Sequence, residues 1–306
     1  MYALNRNELR VFVAVCEGLG SASDIAEALD LSTISVYRAA EALSSSRLVQ
    51  TRRQGKRVHL SPSPHGHSKA LRAYIVGGRR SVEPLIGSRL LVLLSVSSHP
   101  KPLERVAEEV GLSRESVRRI VWQLRGFAAI TQENGKVSLP LSDSALAGFL
   151  QDFSKGACAS MLESLEPAGT VLWSEGLEFI FSARTPVDAQ GVNETGITAM
   201  SRRGLRFMSD LKYYHFAYWM PRLSKEDIAL HQILIDPGST RNISYALLFL
   251  MKEGYRSARL VRAGEALGAS ALADQIAEYL SGSAVGSPLF PGRNDMAELR
   301  AQYGVA

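Results

Sequence analysis

The sequence predicts a mainly α chain with α+β elements: two copies of a small unit of three helices and a hairpin, then a C-terminal α+β half ending in a helical bundle. Three observations carry this. Ala22–Leu43 (ASDIAEALDLSTISVYRAAEAL) aligns without a gap on Leu103–Leu124 (LERVAEEVGLSRESVRRIVWQL), a shift of 81 with 8 of 22 positions identical. Each copy places apolar residues at helical spacing and then a short alternating stretch around a turn, the periods of helix and strand in that order. Charge divides along the same line: residues 1–140 hold 20 Lys and Arg against 12 Asp and Glu, and residues 141–306 hold 15 against 18. A repeat of this period marks a duplicated small domain rather than a solenoid.

In the first copy, Leu9, Phe12, Val13 and Cys16 form an i, i+3, i+4, i+7 stripe, so Asn7–Glu17 is expected as a helix with one core-facing side. Gly18 and Gly20 end it. Ser21 or Ser23 then caps a short second helix that turns Ile25, Ala26 and Leu29 inward. Asp30 makes the turn, Leu31 fills the space between helices, and Ser32 caps a third helix whose inward residues are Val36, Ala40 and Leu43. A hairpin follows, with strands Leu48–Thr51 and Arg57–Leu60 around a turn at Arg52–Lys56.

The second copy repeats the scheme. Leu90, Val92, Leu93 and Val96 make its first stripe, Val106, Ala107 and Val110 its second, and Gly111 stands in the turn. Ser113 is the cap, and Val117, Val121 and Leu124 face inward. Its hairpin is Ala129–Gln132 and Lys136–Leu139, with Asn134-Gly135 a strong signal for a tight hairpin turn.

A helix, a turn of about four residues and a second helix make the helix-turn-helix unit. With the hairpin behind it, each copy resembles the winged-helix regulators of the multiple-antibiotic-resistance type. The residues that carry the likeness are IAEALDLSTISVYRAAEAL…RLVQTRRQGKRVHLSP and VAEEVGLSRESVRRIVWQL…AITQENGKVSLP. The resemblance implies two winged helix-turn-helix domains, residues 1–62 and 87–140, with a basic linker at 63–86. It also implies that the third helix of each enters the major groove of double-stranded DNA. Ser32, Thr33, Ser35, Tyr37 and Arg38 are then the DNA-facing candidates of the first copy, Ser32 being a helix cap in any case. Arg114, Arg118 and Arg119 are those of the second. Glu115 suits a cytosine amino group and equally an intrahelical pair with Arg118 or Arg119. The first wing gathers Arg52, Arg53, Lys56 and Arg57 around Gly55, where core packing cannot account for them; arginines there suit phosphates or the minor groove. The second wing, Gln132–Lys136, has one acid and one base, so the first module is expected to dominate affinity.

Between Glu41 and Glu83 the chain has nine bases and no acid, the footprint of a polyanion partner. His65 and His67 sit in a Pro/Gly-rich loop without further ligands, which favours a structural role over a metal. Ser68–Val76 reads as a short basic helix and Gly77-Gly78 as a hinge.

From residue 141 to 167 the pattern is that of linking helices, and residues 168–306 read as an α+β regulatory or interaction domain. Its strands are expected at Thr170–Trp173, Leu177–Ala183 and the aromatic run from Tyr213, with helices at Thr195-Gly196 and from Ser224 onward. This half resembles the C-terminal region of the abortive-infection type antitoxin and regulator family. The residues concerned are Thr195-Gly196-Ile197-Thr198-Ala199, Gly204-Leu205 and Glu226-Asp227-Ile228-Ala229-Leu230-His231. That family has one N-terminal winged helix, whereas this chain has two copies. His231, on an apolar helix, reads as a satisfied, partly buried histidine rather than a catalyst.

The composition is that of a globular chain, with 46% hydrophobic and 21% charged residues. Its longest apolar runs, Leu90–Val96 and Ile243–Met251, are too short for a membrane span, which needs about 18 residues. MYALNRNELR carries no hydrophobic signal segment, and Cys16 and Cys158 read as buried thiols of a reducing compartment, so a cytoplasmic location is expected. No P-loop, dinucleotide fingerprint, nucleophile elbow or paired-acid strand is present, and neither an enzyme nor a cofactor is expected. The resulting expectation is a sequence-specific DNA-binding transcriptional regulator. Its C-terminal domain serves dimerisation, small-molecule sensing or docking to a protein. An antitoxin-like autorepressor and a replication or partition initiator are the alternatives.

Overall fold

The structure is a computed structural model that describes residues 3–54, 57–78, 80–219 and 222–305. The chain is mixed α+β and divides into two compact units, Met1–Ser160 and Met161–Ala306. No helix among the described residues is long and apolar enough to cross a membrane.

The first unit opens with α1 (Arg6–Cys16), α2 (Ala22–Leu29) and α3 (Thr33–Ser45). Asn5 starts α1 with a capping box: its side chain accepts from the Glu8 amide while Glu8 accepts from the Asn5 amide. Leu9, Phe12, Ile25, Val36, Ala40 and Leu43 are buried together, as their spacing requires. Asp30 takes the left-handed conformation (φ 53°) that ends α2, and Ser32 Oγ accepts from the Ser35 amide to start α3. The strands β1 (Val49–Gln54) and β2 (Arg57–Pro62) pair antiparallel. Their hairpin returns to the helices: the Leu60 amide donates to Gly20 O, and a Cβ on Gly20 would fall 2.1 Å from the His59 ring. Only glycine lets the imidazole lie so near the backbone.

Residues 63–86, expected as a basic linker with a short helix at Ser68–Val76, are largely helical. They form α4 (Gly66–Arg72), a π-helical turn (Ala73–Gly77) and a 3-10 turn (Glu83–Leu85). His67, Leu71, Ile75 and Leu85 are buried, which anchors the segment, while Lys69, Arg72 and Arg80 remain exposed. Ser68 Oγ donates to Leu48 O at 2.7 Å, and His67 Nε2 lies 2.9 Å from Ser46 O.

The second half of this unit contains α5 (Ser88–Ser95), β3 (Lys101–Pro102), α6 (Leu103–Val110), α7 (Arg114–Gly126), β4 (Thr131–Glu133) and β5 (Lys136–Ser138). The three strands are ordered β3-β5-β4. Ser113 caps α7 as Ser32 caps α3, and the Ser–Ser hydroxyl pairs match: 2.8 Å for Ser32–Ser35 and 2.9 Å for Ser113–Ser116. Asn134 (φ 49°) and Gly135 (φ 75°) both have positive φ, the tight turn that their dipeptide signals. The second copy contains a buried ionic centre. The Glu109 carboxylate accepts from Lys101 Nζ, Arg105 Nε and Ser95 Oγ, with Lys101 buried. The long helix α8 (Ser144–Leu165) follows; in it, Phe149 stacks on Tyr74 and Phe153 meets the His67 ring edge-on. Cys16 and Cys158 are buried thiols not joined in a disulfide, and burial raises the Cys16 pKa to about 11.

The second unit has a four-stranded antiparallel sheet, β6 (Thr170–Glu175), β7 (Glu178–Ala183), β8 (Val192–Glu194) and β9 (Lys212–Phe216), ordered β6-β7-β9-β8. Between β8 and β9 lies α9 (Gly196–Arg202). After β9 come α10 (Lys225–Ile235), α11 (Thr240–Glu253), α12 (Ser257–Ala266), α13 (Ser270–Leu280) and α14 (Arg293–Tyr303). Met200, Ile228, Leu230, Ile233, Leu247, Phe249, Leu260 and Ile276 form their core. Strand alternation gives the sheet two unlike faces. Phe179 stacks on Phe216 and Phe181 on Tyr214 on one face; Glu178, Ile180 and His215 occupy the other.

Candidate functional site

Two places hold side chains that core packing does not explain: the outward faces of α3, α7 and the first hairpin, and a buried polar cluster in the second unit.

On α3, subtracting the buried stripe leaves Thr33, Ile34, Tyr37, Arg38 and Glu41 exposed. Ser32 is exposed as well, while Ser35 is half-buried and shares its hydroxyl with Ser32. Ile34 is 65% and Tyr37 46% exposed, so the face is more apolar than the hydroxyl and arginine residues alone suggest. The hairpin differs from expectation. Arg52 and Arg53 belong to the paired part of β1, opposite His59 and Val58, rather than to the turn. Neighbouring strand residues point to opposite faces, so these two exposed arginines do not address one surface together. Lys56 and the side chain of Arg57 lie outside the described residues.

On α7, Arg114, Glu115, Arg118, Arg119, Trp122 and Arg125 are exposed. Arg114 pairs with Glu104 at 2.9 Å, and Arg118 pairs with Glu115 at 3.6 Å, the intrahelical reading of Glu115. An open cavity of about 330 Å³ lies along this face, lined by Glu115, Arg118, Arg119, Val121, Trp122, Arg125 and Gln132. Trp122 is 74% exposed, with Arg118 one turn before it and Arg125 one turn after. Guanidinium groups supply donors to phosphate, and an uncovered indole offers a flat apolar face to a base or sugar. Trp122 and Arg125 escaped the sequence reading. The available signal was that Trp122 falls outside the stripe Val117, Val121, Leu124.

The cluster in the second unit joins three elements. Glu178 Oε1 on β7 lies 3.3 Å from His215 Nε2 on β9, and the rings of His215 and His231 on α10 are 4.4 Å apart. Glu178 is 4%, His215 0% and His231 1% exposed. Thr195 Oγ1 lies 2.9 Å from His231 Nδ1. Burial, and then the charge of His215, hold the His231 pKa well below the usual imidazole range, with Asp227 opposing them.

The segment around Thr195 explains how the cluster is positioned. Gly196 (φ 52°) passes so near α10 that a Cβ would meet Gln232 Oε1 at 2.8 Å. The Ile197 amide donates to Gln232 Oε1 at 2.8 Å, and Thr198 Oγ1 accepts from the Tyr213 amide at 2.7 Å. At the other end of α10, Glu226 is buried with Oε1 accepting from the Arg256 amide, and Ser224 with Asp227 forms a capping box. Thus the motifs Thr195–Ala199 and Glu226–His231, remote in sequence, meet across one interface. His231 is fully buried rather than partly, and Glu178 and His215 were not foreseen beside it. Neither has a spacing that marks a ligand set.

Residues 189–305 match the family model described as HVO_2833_C, C-terminal. The matched stretch includes Thr195, His215 and His231 and begins after Glu178. No curated protein matches the chain.

Proposed function

We propose that the protein is a sequence-specific double-stranded DNA-binding regulator. In this reading Met1–Ser160 carries two winged helix-turn-helix modules and Met161–Ala306 serves dimerisation, sensing or docking. The carrying observation is the structural duplication of a serine-capped helix, α3 and α7, each followed by a hairpin, with a cationic outward face on α7. The resemblance to winged-helix regulators assigns that helix to the major groove, where side chains reach base edges while flanking cations hold phosphates. Support comes from the charge: the first 140 residues have a net charge of +8, from 20 bases and 12 acids. Such a surface attracts a polyanion through release of its counterions. In the second module, Arg118, Arg119 and Arg125 around Trp122 supply phosphate donors beside an apolar face suited to a thymine methyl or a sugar.

One observation favours a second reading, an antitoxin-like module that docks a protein. Ile34 and Tyr37 expose apolar surface on α3 itself, and aromatic anchors are typical of protein contacts. The two readings separate in a genomic pull-down with sequencing, run beside a variant with Arg52, Arg53, Lys56 and Arg57 changed to alanine. DNA regulation requires discrete enriched sites that the variant loses. Absence of enriched sites removes the DNA reading, and equal enrichment by the variant removes the role of the first hairpin in it.

A further inference from the structure

We propose that Glu178, His215 and His231 bind a divalent cation of the zinc class, which ties the sheet of the second unit to α10. The proposal is independent of any role in DNA binding. Two imidazoles and a carboxylate are the donor set that borderline divalent ions select. One nitrogen or oxygen from each residue lies within 4.8 Å of the other two, so a modest inward rotation of the side chains closes the set on one ion. The donors come from three different elements, β7, β9 and α10, so an ion between them acts as a cross-link that no local motif supplies.

The surroundings fit. Metal-bound histidines use one ring nitrogen for the ion and the other for a fixing hydrogen bond. His231 has that bond in place, with Nδ1 against Thr195 Oγ1 at 2.9 Å. Its Nε2 is buried and has no hydrogen-bond partner among the described residues. A buried polar atom left in that state costs free energy that a coordinated cation removes. The turn that delivers Thr195 is itself fixed by Gly196 packed on α10 and by the Ile197 amide on Gln232. That is a supporting shell built around one imidazole. A divalent ion also sets a positive charge against the buried Glu178 carboxylate. All three donors are buried, which suits an ion that cross-links the sheet to α10. Three protein donors leave one position of a tetrahedral ion for a water.

The test uses the untagged full chain, stripped with a chelator and titrated with Co(II) under visible absorption and with Zn(II) under calorimetry. The expected result is one ion per chain, with a raised melting temperature on loading. His215→Gln and His231→Gln should each weaken Zn(II) binding by at least about tenfold. Thr195→Val, which leaves the donors intact, should weaken it by about 10-fold to 100-fold, as loss of an outer-shell partner does. Because the glutamine variants risk misfolding, proton NMR of the Co(II)-loaded wild type provides a readout without substitution: His215 and His231 ring signals should be paramagnetically shifted. No stoichiometric uptake by the wild type, unshifted ring signals, or undiminished uptake in folded glutamine variants overturns the proposal.

Discussion

Arg47 and Ala128 stand 81 residues apart and share one backbone conformation, with φ at 55° in both. Each is the residue at which a capped helix hands over to its hairpin. The amide that follows makes the same bond in each copy, Leu48 N to Leu43 O and Ala129 N to Leu124 O. The duplication therefore extends into geometry beyond the last identical pair, Leu43 and Leu124. Left-handed backbone costs about 1–2 kcal/mol for a residue with a Cβ. Glycine gives back roughly 0.4–1 kcal/mol of this through the freer unfolded chain. Ala128→Gly should therefore be neutral or stabilising by up to about 1 kcal/mol. Gly111→Ala, at φ 65° in the turn before α7, should lose a similar amount. Urea midpoints of the two variants check this; destabilisation by Ala128→Gly would contradict it.

Glu109 holds a polar centre inside the second copy, accepting from Lys101, Arg105 and Ser95. Glu109→Ala removes the carboxylate that the buried Lys101 ammonium faces, and removal of one partner from a buried pair costs roughly 3–5 kcal/mol. Calorimetric unfolding should show that loss. The double variant Lys101→Met with Glu109→Leu removes both charges of the buried pair and should recover most of it.

His67 supplies a pH dependence. Burial lowers its pKa, outweighing the opposing bond to the Ser46 carbonyl, so it is neutral in the native state. The unfolded chain then binds the proton more readily. This contribution to stability is complete above the ordinary histidine pKa of about 6.5 and is lost as pH falls below it, with a slope of at most about 1.4 kcal/mol per pH unit. Between pH 7 and pH 5 the wild type should lose more stability than His67→Gln, measured by denaturant titration at each pH. Equal losses would refute the assignment.

Trp122 and its neighbouring arginines should separate in duplex binding. Arg118→Ala and Arg119→Ala should each flatten the salt dependence, by roughly one unit for every phosphate that the arginine neutralises. Trp122→Ala should weaken binding with the slope unchanged, because an indole releases no counterions. Fluorescence anisotropy across a salt series reads both effects.

Legibility in the sequence follows the length scale of the interaction. The helices of both copies and their caps at Ser32 and Ser113 were legible, because apolar spacing and capping are local. The hairpin turn at Asn134-Gly135 was legible for the same reason. Arg52 and Arg53 read as turn because an arginine pair shows no strand alternation, yet β1 continues through both by backbone pairing. β8 was missed: three half-buried residues carry no period. Lys101 and Glu109 look like surface charges in sequence, and only the fold reveals that they are enclosed together. In residues 63–86 the short helix was legible, whereas the burial of His67, Leu71 and Ile75 was not, because it depends on what the segment packs against. The Glu178, His215 and His231 cluster was illegible because tertiary packing alone joins two strands and a helix at that point.

The central proposal is that the first unit binds double-stranded DNA with the cations of the first hairpin on its phosphates. Its most direct test is the salt dependence of affinity for a mixed-sequence duplex, wild type against the variant with Arg52, Arg53, Lys56 and Arg57 changed to alanine. The wild type should bind with log K falling linearly in log salt, and the variant should bind more weakly with a slope shallower by about 2 units. A wild type that does not bind duplex at low salt, or a variant with unchanged affinity and slope, would contradict the claim.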